Sequence, residues 1–151
     1  MDSNGNLVTV VNGVPSGSSF PILWTPLGLP KQPFFAGMGF DGSGNLFVVE
    51  TSNGYLLTLD TKTSPGLVKN SVKLSPAPSS GTSKVALAID PLNGTAYYAP
   101  FTVGNPLYTL VLNTGKLTLA GHLTTAVSGL TFTAQTCPAP PPPCTDCHIV
   151  N

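Results

Sequence analysis

Asp41-Gly42-Ser43-Gly44-Asn45-Leu46-Phe47-Val48-Val49 reads as a tight turn feeding a short apolar strand, and the chain writes it more than once. An Asp at the head of such a turn accepts hydrogen bonds from nearby backbone N–H groups, and Gly or Asn tolerates positive φ. Four apolar residues bounded by turn residues suit a strand buried on both faces. Asp2-Ser3-Asn4-Gly5-Asn6-Leu7-Val8-Thr9-Val10 aligns with this stretch without a gap, and Ile89-Asp90-Pro91-Leu92-Asn93-Gly94-Thr95-Ala96-Tyr97 is a looser copy. Gly129-Leu130-Thr131-Phe132-Thr133 matches the run that precedes these turns, such as Met38-Gly39-Phe40. With Met1, Phe40, Ile89 and Phe132 taken as equivalent, successive units start 39, 49 and 43 residues apart. Periods of about 40 to 50 residues are those of repeated four-stranded units.

The rest of each unit also reads as strands. Asn53-Gly54 is a hairpin turn leading into Tyr55–Asp60, and Leu107–Leu112 and Lys116–Ala120 form a second hairpin around Asn113-Thr114-Gly115. Strand and turn repeated four times make one up-and-down sheet. Val14 to Gln32 fits the repeat poorly: Ser16–Ser19 reads as loop and Phe20–Trp24 as a possible strand. Leu74–Ser83 reads as a long loop between units. Asp41 and Asp90 are expected to cap their turns rather than to bind calcium.

These units resemble the repeats of bacterial extracellular β-propellers of the NHL/YVTN kind. The resemblance rests on Ala88-Ile89-Asp90-Pro91 and Gly94-Thr95-Ala96-Tyr97, on Leu107–Leu110 with Thr114-Gly115, and on Leu119-Ala120-Gly121. It implies an all-β fold of propeller-like four-stranded antiparallel repeats over residues 1–134, with about three blades and open ends. A Pro-rich tail follows over residues 135–151. The chain opens at the turn before a second strand and last resembles the repeat at a first strand, so tail and head together make one blade. The expectation is a piece of a longer propeller, or strand donation between copies, which without ring closure builds a filament.

Composition narrows the partners. Charged residues are 8% of the chain against a usual share of about 25%, and the six Lys (Arg is absent) balance six acids. Such a surface offers nothing to neutralise phosphates, so nucleic acid is excluded as a partner. No run approaches the roughly 18 apolar residues of a membrane span. Few straight-chain helix formers are present, which argues against a helical bundle. Low charge with abundant Ser, Thr, Gly and Pro suits a periplasmic, cell-surface or extracellular protein. Met1–Gly5 carries no basic or apolar signal segment, which is expected of a processed or truncated chain.

The chemistry lies in the tail. After Cys137 and the polyproline run Pro138–Pro143 comes Cys144-Thr145-Asp146-Cys147-His148, the C-x-x-C-H pattern of covalent haem attachment. Two thiols three residues apart can form thioethers with the two haem vinyl groups, and the adjoining His then falls under the iron. These five residues resemble the attachment site of c-type cytochromes. The resemblance implies one haem c per chain, with Cys144 and Cys147 attaching it and His148 as proximal ligand. A Cys144–Cys147 disulfide and a zinc site including Cys137 stay open as alternatives. A Cys137–Cys144 disulfide is opposed by the extended spacer.

His122 is the other histidine of the chain and the candidate distal ligand, with an ordinary turn histidine as the plain alternative. Met38 is a second candidate, although its place in a first strand favours core packing. Ligation by two histidines leaves no open coordination position, which points to electron transfer rather than catalysis. The expected partner is a redox protein or the haem of a neighbouring subunit in a homo-oligomer or filament. The competing expectation is a secreted propeller used as a binding or adhesion module, with a disulfide-bonded tail.

Overall fold

Turn chemistry sets the order of the strands. Asp41 Oδ1 accepts hydrogen bonds from the backbone N–H of Ser43 (2.9 Å) and Asn45 (2.8 Å), and its Oδ2 accepts one from Asn45 Nδ2 (2.8 Å). This turn joins β3 (Phe35–Phe40) to β4 (Leu46–Glu50). Asp90 repeats the device, with Oδ1 accepting from Leu92 N at 2.9 Å, between β7 (Val85–Ile89) and β8 (Ala96–Pro100). In both turns the Gly N–H at the fourth or fifth position donates to the Asp carbonyl, Gly44 at 3.0 Å and Gly94 at 2.8 Å. Both aspartates are turn caps, as the sequence leads one to expect.

The computed structural model describes residues 7–11, 14–20, 22, 33–77 and 84–132, the first two runs as backbone. Among these, β5 (Tyr55–Leu59) and β6 (Val68–Lys73) complete a four-stranded antiparallel sheet in the order β3-β4-β5-β6. β9 (Pro106–Val111) and β10 (Lys116–His122) complete a second, ordered β7-β8-β9-β10. β1 (Leu7–Val11) and β2 (Val14–Phe20) form a two-stranded sheet. The described chain is therefore all-β, with two four-stranded sheets and one of two strands where the sequence leads one to expect about three of four. No helix of the described residues is long and apolar enough to cross a membrane.

The two large sheets are copies in register. Phe40 faces Leu46 and Phe47 faces Thr58 in the first; Ile89 faces Ala96 and Tyr97 faces Thr109 in the second. They stack with β3 against β7. A Cβ at Gly37 would lie 2.9 Å from the Val85 carbonyl oxygen and 3.2 Å from Val85 Cγ1, so the absence of a side chain is what lets the two strands approach. Alternate residues then interleave between the sheets: Ala36, Phe47, Val49 and Leu56 from the first, and Val85, Leu87, Ile89, Tyr98 and Leu110 from the second. The other face of the first sheet is buried as well, with Leu46, Val48, Leu57 and Leu59 packed together with Ile22. Burial on both faces is why β4 reads as a continuous apolar run rather than an alternating one.

Two segments depart from the sequence reading. Ser16–Ser19 lies inside β2, where Ser19 opposes Val8 and Phe20 opposes Leu7, so ladder pairing with an apolar neighbour overrides weak strand propensity. Gly129–Phe132, expected as a first strand, is not in a strand. No second strand lies beside it among the described residues to complete its hydrogen bonds.

The core carries one polar anomaly. Tyr98 is 0% exposed, its ring tilted at 51° to that of Tyr108 with centroids 6.1 Å apart, and its hydroxyl has no hydrogen-bond partner among the described residues. Burial first, and then neighbouring Tyr108, push its phenol above the usual range. A buried hydroxyl without a partner costs about 1 kcal/mol or more. Tyr98→Phe is accordingly expected to raise stability by about 1 kcal/mol, read as a melting temperature higher by about 3 °C.

Two turn carboxylates make the fold sensitive to acid. Burial would raise Asp41, but its bonds from the Asn45 side chain and from the Asn45 and Ser43 backbone outweigh it and leave the carboxyl below its ordinary 3.8. Backbone N–H groups of Lys62 and Thr63, donating to Asp60 at 2.7 and 2.9 Å, hold that carboxyl below 3.8 too. A carboxyl that titrates lower when folded adds stability above its unfolded value and loses it as pH falls through the folded one. These two groups are thus expected to weaken the fold only below about pH 4. Thermal unfolding followed from pH 7 to pH 2 checks this, and Asp60→Asn should flatten the acid limb.

Candidate functional site

His122 ends β10, opposite Pro106 at the head of β9, rather than in the turn beyond the strand. A register shift between Leu119 and Gly121 re-aims the last residues of this outer strand. The next residue is anchored as well, Leu123 N donating to the Asn105 carbonyl at 2.8 Å. The imidazole therefore sits on a braced strand end, against the Phe101–Asn105 turn that links β8 to β9.

His122 Nδ1 lies 2.7 Å from the Gly104 carbonyl oxygen. A carbonyl accepts and cannot donate, so Nδ1 carries the proton in this bond. In the neutral ring Nε2 then holds a free lone pair, on an exposed side chain. Metal-binding histidines are characteristically oriented in this way, with the second ring nitrogen donating to a carbonyl or carboxylate. The adjoining turn exposes Phe101 and Val103, the latter fully, which supplies apolar surface beside the imidazole. Lys84 Nζ lies over the Phe101 ring at 5.4 Å and is the cation of this corner.

The second candidate ligand is placed elsewhere. Met38 lies in β3 of the first sheet, opposite Val48, and packs against the cluster of Leu46, Val48, Leu57 and Leu59. It does not converge with His122 on the outer strand of the second sheet. Cys137, Cys144, Cys147 and His148, and with them the C-x-x-C-H motif, lie outside the described residues. Among the described residues no three His, Cys, Asp or Glu side chains gather as a metal-binding group.

One acidic residue escaped the sequence reading. Glu50 is 0% exposed, and its carboxylate accepts bonds from the backbone N–H of Ser52 (2.8 Å), Asn53 (2.9 Å) and Phe34 (3.2 Å). It closes the β4–β5 turn and ties it to the start of β3, a structural rather than a chemical task. Its position directly after Leu46–Val49 and before Asn53-Gly54 is the signal that could have found it.

The chain was compared with protein-family models, curated proteins and solved structures, and it matches none of them.

Proposed function

We propose that this protein is an extracytoplasmic electron carrier, with one c-type haem held covalently on a propeller-like β-repeat scaffold. The observation that carries the reading is Cys144-Thr145-Asp146-Cys147-His148, whose two thiols and adjacent imidazole have the spacing covalent haem attachment requires. Cys144 and Cys147 would form the thioethers, and His148 would bind the iron from the proximal side. His122 fits the distal role because Gly104 fixes its tautomer and leaves Nε2 free to donate a lone pair. Bound haem supplies a one-electron couple. The protein's part is to hold two imidazoles in place so that little rearranges as the charge changes, with no coordination position left for a substrate.

The chain between scaffold and motif is long enough for this. Phe132 is seated on Tyr97 with ring centroids 5.8 Å apart, and Cys144 follows twelve positions later. A Pro-rich arm of that length reaches at most about 40 Å, enough for the His122 corner of the same sheet, two strands away. The propeller reading is supported by two four-stranded meanders stacked first strand against first strand. Haem attachment of this kind belongs to compartments outside the cytoplasm, in keeping with the charge-poor, Ser- and Thr-rich composition.

The test is a pyridine haemochrome assay with oxidised and dithionite-reduced spectra, on protein made in a host able to attach haem. One covalent haem per chain with low-spin bands is expected. His122→Ala should keep the covalent haem, lose the low-spin signature and shift the midpoint potential. A protein without a Soret band sinks the proposal and leaves a secreted binding module with a disulfide-bonded tail. An unchanged spectrum in His122→Ala removes that residue as the ligand.

A further inference from the structure

The second sheet has a face that repeats an occupied one. Ala36, Phe47 and Val49 of the first sheet are covered by the second sheet. By the matched registers, their counterparts are Ala86, Tyr97 and Ala99. Strand alternation turns these away from the inter-sheet core, toward the far side of the molecule. Phe132 packs on Tyr97 of that face, and Leu130, Thr131 and Phe132 line a groove of about 330 Å³ whose other walls are Leu87–Ile89 of β7 and Met38–Phe40 of β3 with the turns that follow them. Leu130–Phe132 thus lies beside β7, as β7 lies beside β3. It is a first strand without a second among the described residues.

The two-stranded sheet has the complementary shortage. β1 aligns in sequence with β4, and β4 is flanked by β3 on one edge and β5 on the other. β1 pairs with β2 only, so the edge that would take a first strand is free among the described residues. That edge reads Leu7-Val8-Thr9-Val10-Val11, β-prone throughout, and neither β1 nor β2 contains a charged residue. Sheet edges that stay unpaired in solution are normally protected by charge, Pro or cover, and this one has no charge to protect it.

We propose that the free edge of β1 pairs with Gly129–Phe132 of a second copy of this chain. The mixed sheet lies between the second sheet of one molecule and the first sheet of the next. Carrying over the β3–β4 register places Phe132 opposite Leu7, Thr131 opposite Val8 and Leu130 opposite Thr9. The contact joins different surfaces of the two copies, so it propagates head to tail unless a ring closes. It requires no haem and stands apart from the proposed electron-transfer role.

Sedimentation velocity across a concentration series, with photo-crosslinking, tests it on the full chain. p-Benzoylphenylalanine placed at Thr131 in a mixture of ¹⁵N-labelled and unlabelled protein should give crosslinks to Leu7–Thr9, about half of them between heavy and light chains. Phe132→Asp should raise the association midpoint at least tenfold. Leu67→Asp, at an exposed apolar residue just before β6, should leave it unchanged, with circular dichroism showing both variants folded. Crosslinks to β1 within single chains only would overturn the proposal in favour of closure inside one molecule. A monomer at all concentrations, or crosslinks that avoid β1, would overturn it outright. Haem content is read separately from the Soret band, so failure here is distinguishable from failure of the haem assignment.

Discussion

Glu50→Ala is expected to destabilise the protein by about 3 kcal/mol, a fall of roughly 10 °C in melting temperature. The carboxylate is fully buried and is the acceptor for three backbone N–H groups, those of Phe34, Ser52 and Asn53. Alanine removes the acceptor that all three share, and each part-buried hydrogen bond lost to the carboxylate costs about 1 kcal/mol. Glu50→Gln separates hydrogen bonding from volume. Its amide oxygen can replace one carboxylate oxygen, while its NH₂ group opposes an N–H the other had accepted. A loss of about 1–2 kcal/mol, between wild type and alanine, is expected by chemical denaturation. Equal losses in the two variants would mean that packing rather than hydrogen bonding sets the effect.

Gly115→Ala is expected to cost about 3 kcal/mol, while Gly44→Ala costs about 1 kcal/mol. Both glycines have positive φ, +70° and +82°, and pay the same left-handed penalty on gaining a side chain. They differ in their surroundings. A Cβ at Gly44 meets nothing within 4 Å, whereas one at Gly115 would overlap the Lys73 carbonyl group. That approach holds the outer strands of the two sheets together. Ser75 N donates to the Gly115 carbonyl at 2.9 Å, and Leu117 N donates to the Ser75 carbonyl at 2.7 Å. Displacing Lys73 strains this bridge and the buried Leu74 beside it. Urea unfolding of the two variants in parallel measures the difference, and equal losses would show that the bridge contributes little.

Local chemistry was the legible part of the fold. Asp41 and Asp90 announced their turns because the residue that accepts the hydrogen bonds and the backbone that donates them lie within five positions. Leu46–Glu50, Tyr55–Leu59 and the hairpin around Gly115 were readable for the same reason. Ser16–Ser19 was misread because its strand state comes from pairing with β1, not from its own residues. Gly129–Phe132 went the other way, carrying the pattern of a first strand without a neighbour to complete it. The C-x-x-C-H motif at 144–148 is contiguous and so visible in the chain. The orientation of His122 was not, since Gly104 stands 18 positions away and meets it only through the pairing of β9 with β10.

Residue order alone thus settled the all-β class, the four-stranded repeat and the turn positions, because each depends on contacts within a few residues. Tertiary structure decided which residues are expensive to change and which histidine nitrogen is free. Glu50 looked like any turn acid until folding brought Phe34 to its carboxylate. Gly115 looked like an ordinary hairpin glycine until Lys73 of the other sheet came against it. Stacking of the sheets is also what buries the Tyr98 hydroxyl without a hydrogen-bond partner among the described residues. The cost of burying or crowding a group is set by atoms distant in sequence, and those come into reach only when sheet packs on sheet.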